Sequence, residues 1–189
     1  MFEFEIILGK YTMKKILLFV LFVSVLSGCT QTEVRPTAVA GDSSLQAFLP
    51  QWEEAQSRFV TGDPTLWKQN ASQRDDATIL GAFGGYEKGW NEVGPRYDWA
   101  SSQYKDSGAK MKVEYISTGV SGDLGFTVAI ERQEEVRLGD QQNPTQRALR
   151  VTQIFRKEGG DWKLLHRHAD PLMEKKPPSA VPQKVASFP

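Results

Sequence analysis

The sequence predicts an α+β fold in which N-terminal helices pack on one face of a curved antiparallel sheet. Two observations lead to this prediction. Early in the chain, between Leu45 and Phe59, apolar residues recur at helical spacing. Later, β-rich runs separated by short turns follow one another and end in a hairpin that turns at Gly159-Gly160. Helices that precede a long meander are typical of an α+β domain.

Turn and cap signals divide the helical part into three segments. Ser43 and Gln46 have capping-box spacing, which predicts that the first helix begins beside them. Asp63-Pro64 supplies an N-cap and an N1 proline for a short second helix. A third helical segment is expected from Tyr86 to Val93, and Gly94-Pro95 is expected to break it.

The remaining segments predict strands. They are a short strand at 75–81, then strands at 97–104, 110–117 and 125–136, and finally the two arms of the hairpin. We find no internal repeat and no second domain in this pattern.

The second arm of the hairpin carries both histidines of the protein. Alternate residues of a strand share a face. The residues predicted to line up together are Trp162, Leu164, His166, His168 and Asp170. This face is apolar near the turn and polar at the far end, which predicts the wall of a half-buried pocket.

The register of the hairpin affects the residues opposite the histidines. If Lys157 and Asp161 face each other across the turn, Arg150 lies opposite His168. There Arg150 could hold a ligand carboxylate or simply pair with Asp170. A β-bulge at Gly159-Gly160 would shift this register.

Composition excludes some partners. The 23 basic and 23 acidic residues balance, and no basic stripe is present, which argues against nucleic-acid binding. Five tryptophans and an aromatic content of 11% indicate either a core of large side chains or an aromatic-lined cavity.

The N-terminal segment has the layout of a secretory signal. A positive start at Met13-Lys14-Lys15 is followed by the uncharged run Ile16 to Leu26, which is shorter than the roughly 20 residues of a membrane-spanning helix. The sequence Leu26-Ser27-Gly28-Cys29 then resembles the lipobox of bacterial lipoproteins. We therefore predict lipid attachment at Cys29, the only cysteine, rather than a plain signal peptide with an incidental cysteine.

The residues around the signal predict the start of translation and the location. Glu3 and Glu5 would make its first region acidic, so translation is expected to begin at Met13. Thr30 rather than an aspartate follows the cysteine, which by analogy with enterobacterial lipoproteins predicts anchoring in the outer membrane, facing the periplasm.

The chain is thus expected to have four parts. They are an upstream extension and signal peptide at residues 1–28, a flexible tether at 29–42, a folded domain at 43–172 and a proline-rich tail at 173–189.

Three segments of the folded domain resemble the nuclear transport factor 2-like superfamily, in its SnoaL-like, ketosteroid isomerase-related branch. They are Phe59–Asp63, Asp76–Gly89 (DATILGAFGGYEKG) and Arg150–Asp170, which contains Gly-Asp-Trp-Lys-Leu-Leu-His-Arg-His. The resemblance implies a cone, in which a strongly bent sheet wraps around helices and leaves a pocket at the wide end. It also implies dimerisation through the open face of the sheet.

The resemblance leaves the activity open, because members of the superfamily include isomerases, dehydratases, hydrolases, polyketide cyclases and assembly hubs. The isomerases use an aspartate base with a tyrosine and a protonated aspartate. Residues of these types are Asp75, Asp76, Asp98, Asp170 and Tyr86, but no local motif assigns any of them to these roles.

A metal site is not predicted. His166, His168 and Asp170 would form a cramped ligand set on one strand, and zinc needs at least three protein ligands. The alternative role of the histidines is structural, as hydrogen-bonding links between the last strand and its neighbours. We likewise predict no cofactor.

We predict a protein that binds a small apolar or weakly acidic molecule at the cell envelope. The residues expected to line its pocket are Trp67, Tyr86, Trp90, Arg150, His166, His168 and Asp170. One alternative is an isomerase or dehydratase with His168 or an aspartate as general base. Another is a scaffold whose sheet face binds a partner protein.

Overall fold

A computed structural model describes residues 43–104, 108–177 and 179. The predicted signal peptide, Cys29 and the tether lie outside the described residues, as does most of the proline-rich tail. In the described part, no helix is long and apolar enough to cross a membrane.

Three helices and six strands make up the described chain. In order they are α1 (Ser43–Phe59), α2 (Thr65–Gln69), β1 (Thr78–Leu80), β2 (Glu87–Lys88), α3 (Trp90–Ser102), β3 (Lys110–Ser121), β4 (Leu124–Val136), β5 (Thr145–Glu158) and β6 (Asp161–Pro171). The strands form one sheet in the order β2-β1-β6-β5-β4-β3. The predicted α+β class is confirmed, but the sheet is mixed rather than antiparallel because β1 runs parallel to β6.

The first helix packs one face on the sheet, as its apolar spacing predicts. Leu45, Leu49 and Trp52 are buried at positions three or four apart. Close contact is possible because Gly125 of β4 has no side chain: a Cβ there would lie 2.9 Å from Cδ2 of Leu45. The side chain of Gln46 donates a hydrogen bond to Thr118 Oγ1 at 2.8 Å, so it ties α1 to β3.

The third helix differs from the prediction in both position and length. It begins at Trp90 and continues through Gly94-Pro95 to Ser102, so the predicted helix break at Gly94 and the predicted strand at 97–104 are wrong. Tyr97, Ala100 and Ser101 are buried at helical spacing, and this burial outweighs the hydrogen bond lost at Pro95. Gly94 allows the ring of Trp90 to pack closely against the helix backbone, since a Cβ at Gly94 would lie 3.2 Å from that ring.

Aromatic side chains dominate the core between the helices and the sheet. Trp67 packs against Trp52 and Phe59 with ring centroids 4.5 and 4.4 Å apart. Tyr97 of α3 and Phe155 of β5 extend this cluster, in edge-to-face contact with Trp67 and Trp52 respectively. The high aromatic content therefore supplies the core, and the rings of Phe59, Trp67 and Tyr97 also line the cavity described below.

A β-bulge at Leu165 changes the face of β6. Phe155 pairs with Leu164, whereas the next residue of β5, Ile154, pairs with His166, so Leu165 has no opposite residue. Trp162 and Leu164 are buried before the bulge, and Arg167 and Ala169 are buried after it.

The bulge overturns the predicted common face. Trp162 and Leu164 lie on the inner face, whereas His166, His168 and Asp170 lie on the outer face. The extra residue at the bulge reverses the alternation between them. The predicted register is also wrong: Thr152 lies opposite His168, and Arg150 lies opposite Asp170.

Candidate functional site

The inner face of the sheet and the helices enclose a cavity of about 50 Å³. Its apolar wall consists of Phe59, Val60, Ile79, Ala100, Met111 and Leu149. Its polar wall includes Gln56 of α1, Glu131 and Gln133 of β4, and Arg167 of β6. The cavity has room for a few water molecules or for a small group of a ligand.

An ion pair crosses the polar wall. Arg167 donates from Nη1 to Glu131 Oε1 at 2.6 Å and from Nη2 to Oε2 at 2.7 Å. Burial lowers the pKa of Arg167, but the charge and hydrogen bonds of Glu131 outweigh this effect, so that the pKa is raised overall. The guanidinium also lies over the ring of Trp67, 5.3 Å from its centroid. Arg167 is therefore a permanent cation in this wall.

Gln56 contributes a buried side-chain amide to this wall. Its Nε2 donates to Glu131 Oε1 at 2.6 Å. Because a carboxylate paired with arginine only accepts hydrogen bonds, this contact fixes the amide with Oε1 turned away from Glu131. Among the described residues, nothing donates to Gln56 Oε1, although the atom is buried. A buried acceptor of this kind is suited to a donor from water or from a ligand.

Two phenols contribute neutral hydroxyl groups to the cavity. Burial raises the pKa of Tyr97 to about 12, and burial also raises the pKa of Tyr104. The hydroxyl of Tyr104 donates to Gln133 Oε1 at 3.3 Å and accepts from Arg147 Nη1 at 3.1 Å. Both phenols therefore stay protonated at neutral pH.

The loop between β1 and β2 forms the rim of the cavity. Phe83, the most exposed of the lining residues, meets Trp99 and Tyr104 at centroid distances of 5.6 and 6.1 Å. Gly84 has a positive φ of 85°, a conformation that glycine adopts without strain, and its carbonyl accepts from Arg96 Nη2 at 2.7 Å. This loop positions Phe83 at the opening.

The sequence-predicted site residues do not form one pocket. Trp67 lines the cavity. Trp90 contacts Tyr97 at a centroid distance of 6.5 Å but is not a lining residue, and Tyr86 is 78% exposed. His166, His168 and Asp170 lie on the outer face of the sheet because of the bulge, and Arg150 lies on the same face through the regular alternation of β5. The structure therefore places the predicted binding residues on two sides of the sheet.

The outer face carries a separate, shallow groove of about 310 Å³. His168 Nε2 lies 3.1 Å from Asp170 Oδ2, and Arg150 Nη2 lies 3.9 Å from the same oxygen. Arg150 thus pairs with Asp170, the second of the two roles considered for it. The groove is otherwise mainly apolar, with Ile116 and Leu172 among its lining residues.

His166 links strands on this outer face. Its Nδ1 lies 2.8 Å from Thr78 Oγ1 on β1, within hydrogen-bond distance. This is the structural role considered for the histidines. Burial and the charge of His168 lower the pKa of His166.

Candidate catalytic groups lie away from the cavity or are engaged elsewhere. Asp76 pairs with Arg156 at 2.6 Å, and Asp98 pairs with Lys68 at 2.8 Å. The described part of the chain brings together no group of three or more His, Cys, Asp or Glu side chains that could hold a metal ion. Glu131 is the only carboxylate among the described lining residues, and Arg167 holds both of its oxygens.

Sequence reasoning missed Gln56, Glu131 and Arg167. A signal for Arg167 was present, because the Leu164-Leu165 pair interrupts the alternation of β6 directly before it. Glu131 lies on the same face of β4 as the buried Thr127 and Ala129, so its position on that face could have been inferred from the alternation. Its burial depends on the tertiary structure.

Comparisons with known proteins agree with this architecture. A family model described as a SnoaL-like domain matches residues 82–174. No protein with a curated description matches the sequence significantly.

Several solved structures share the fold at low sequence identity. A nuclear transport factor 2-like superfamily protein from Salmonella enterica has 15% identity over 72% of this chain and 94% of its own, with a TM-score of 0.58. A putative dehydratase of the same family from Streptomyces avermitilis has 16% identity over 70% and 96%, with a TM-score of 0.55. The CaMKII hub of S. rosetta has 18% identity over 67% and 95%, with a TM-score of 0.51.

The fold is therefore the nuclear transport factor 2-like cone, as the resemblance implied. The SnoaL-like match over residues 82–174 agrees with this fold.

Proposed function

We propose that this protein binds a small apolar or weakly acidic molecule in its interior cavity. The fold alone is compatible with ligand binding and with isomerase or dehydratase activity. The observation that carries the proposal is that Gln56, which lines an otherwise mainly apolar cavity, has a buried Oε1 with no hydrogen-bond partner among the described residues. Specific small-molecule sites combine apolar walls with a few fixed polar groups in this way.

The size of the cavity limits how the ligand enters. The enclosed volume of about 50 Å³ is far below the roughly 300 Å³ or more of a site that holds a whole drug-sized molecule. The ligand therefore inserts a small apolar group, and the rest of it lies at the rim beside Phe83. The Gly84-Gly85 turn gives this loop the freedom to adjust.

Binding without conversion fits the cavity better than catalysis. A general base must reach its proton and accept it near the working pH. Glu131 is held by two hydrogen bonds from Arg167, and His168 lines the outer groove instead of the cavity. The neutral phenol of Tyr97 favours the isomerase alternative as a hydrogen-bond donor, but it supplies no base.

The proposed setting is the cell envelope. Attachment through a lipid on Cys29 would tether the domain to the outer membrane, facing the periplasm, and the lipobox supports this. We also propose self-association through the outer sheet face. Its support is the exposure of Ile116 at 62% and Phe126 at 40%, together with neighbours described as a hub and an association domain.

A cavity-filling substitution tests the binding proposal. Small molecules retained by the purified full-length chain are released by denaturation and identified by mass spectrometry. Ala100→Leu adds three carbons to the apolar wall of the cavity, so it should abolish retention. Ala47→Leu makes the same change on the exposed side of α1 and should retain the ligand.

Two outcomes would contradict the binding proposal. Equal retention by the wild type and Ala100→Leu, with both variants folded by circular dichroism, would place the ligand elsewhere. Recovery of a chemically converted ligand, dependent on Tyr97, would favour the enzyme.

A further inference from the structure

Arg147 lies on the inner face of β5, at the end of the cone where the rim is. It is half-buried and pairs in register with Gln133, a lining residue of the cavity. Strand β6 ends at Pro171 opposite Leu149, so no residue of β6 stands opposite Arg147. The guanidinium is therefore placed beside the opening of the cavity.

Two cavity-lining side chains hold this guanidinium in place. Its Cζ lies 5.1 Å from the ring centroid of Phe83. Its Nη1 donates to the hydroxyl of Tyr104 at 3.1 Å. Among the described residues, this stacking contact and this hydrogen bond fix the plane of the group and leave most of its N–H donors available.

Arg147 differs from the two arginines that line the cavity. Arg167 has Glu131 as its carboxylate partner, and Arg96 lies 3.2 Å from Glu87. Within 43–104, 108–177 and 179, no carboxylate forms an ion pair with Arg147. A half-buried cation that has no carboxylate partner in the described part of the chain gains free energy when an anion binds beside it.

We propose that Arg147 is the anion-binding residue of the cavity and that the ligand is an amphipathic carboxylate. Its apolar end enters the cavity, and its carboxylate accepts two hydrogen bonds from the guanidinium edge at the rim. A carboxylate fits because one guanidinium neutralises one negative charge and matches its two oxygens. This assignment rests on the proposed function.

Arg150, the residue given this role from the sequence, provides the matched comparison. It lies three residues further along β5, on the outer face, and is paired with Asp170. A comparison of variants at these two positions therefore distinguishes anion binding in the cavity from a general effect of positive charge on β5.

The test compares an acid with its neutral amide. Hexanoate and hexanamide share an apolar chain and differ in charge, and their dissociation constants are measured by calorimetry on the full-length protein. The wild type should bind hexanoate about tenfold or more tightly than hexanamide, as expected for a charge-assisted hydrogen bond. Arg147→Gln should remove this preference without changing hexanamide binding, which would show that the cavity is intact.

Two further variants complete the test. Arg147→Lys should keep part of the preference, because lysine retains the charge but lacks the planar fork. Arg150→Gln should keep all of it. If the wild type binds acid and amide equally, or Arg147→Gln keeps the preference, the role of Arg147 is wrong while cavity binding stands. If neither compound binds, both proposals fail for this class of ligand.

Discussion

Arg167 and Glu131 join two strands that are not neighbours. Arg167 belongs to β6 and Glu131 to β4, and their side chains meet across the inner face of β5 at 2.6 and 2.7 Å. The pair is almost fully buried, with side-chain exposures of 8% and 1%. Buried pairs of this geometry are sensitive to removal of one partner, because the other charge is then left without compensation.

Glu131→Gln should lower the free energy of unfolding by about 3–5 kcal/mol, the usual effect of breaking a buried pair. The amide cannot neutralise Arg167, which remains charged in the core. Urea denaturation followed by circular dichroism measures the change.

Glu114→Gln is the matched control for this prediction. Glu114 pairs with Arg132 at 3.3 Å, and both side chains are about half exposed. Its loss should change stability by less than about 1 kcal/mol. Equal effects of the two substitutions would show that the inner pair has no special role.

Gly125→Val should destabilise the protein by about 1–3 kcal/mol through overpacking. A Cβ at this position would lie 2.9 Å from Leu45 and 3.4 Å from Trp162, and both of these side chains are buried. Gly119→Ala is the control, because the ring of Phe126 that it would meet is partly exposed and can turn outward. Thermal unfolding should show a larger fall in Tm for Gly125→Val than for Gly119→Ala.

Stability should decline as the pH falls below about 6.5, the ordinary pKa of histidine. Burial, with the charge of His168, lowers the pKa of His166. The unfolded chain therefore takes up a proton at a higher pH than the folded protein does. The stabilisation that His166 contributes is complete above its pKa in the unfolded chain. It is lost as the pH falls through its pKa in the folded protein.

His166→Asn should flatten the stability profile between pH 7.5 and 5. His168→Asn should reduce the decline without abolishing it, since burial is the larger cause. Asp76 and Glu158 have lowered pKa values and contribute at more acidic pH. An unchanged slope in His166→Asn, measured by urea denaturation at each pH, would contradict the assignment.

Ile116→Lys should weaken self-association, because it places a charge in the most exposed apolar part of the outer sheet face. Light scattering coupled to size-exclusion chromatography should show a shift towards the monomer. Gln142→Lys adds the same charge to the exposed loop between β4 and β5 and should leave the assembly unchanged. A wild type that stays monomeric at high concentration would remove the basis of this proposal.

Globomycin treatment of expressing cells should make an uncleaved precursor accumulate if Cys29 is the lipid-attachment site. Cys29→Ala should lose labelling by a radioactive or clickable fatty acid. Full labelling of Cys29→Ala would end the lipoprotein hypothesis. The control is Ser27→Ala, which keeps the small residue and the cysteine of the lipobox.

Local patterns were sufficient to predict much of the fold. The apolar face of α1, the limits of β4 and the closing hairpin each depend on residues close together in sequence. Gly94-Pro95 shows where local signals failed. They favour a helix break, but Tyr97 and Ala100 bury one face of a longer helix against the core.

The residues of β6 that face the cavity could not be predicted in the same way, because β6 bonds to parts of the chain that are distant in sequence. Leu164 of β6 exchanges backbone hydrogen bonds with Asn70 and Ser72, whereas β6 pairs with β1 from His166 onward. The bulge at Leu165 lies where β6 changes from one partner to the other.

The sequence by itself determined that both histidines lie on β6 and that apolar and polar residues alternate there on either side of the Leu164-Leu165 pair. Only the tertiary structure decided which residues face the cavity. A shift of one residue at Leu165 turns Arg167 inward and His168 outward, because side chains of a strand alternate with a period of two. The Leu164-Leu165 pair marks the position of that shift in the sequence, and it coincides with the place where β6 changes its bonding partner from Asn70 and Ser72 to β1.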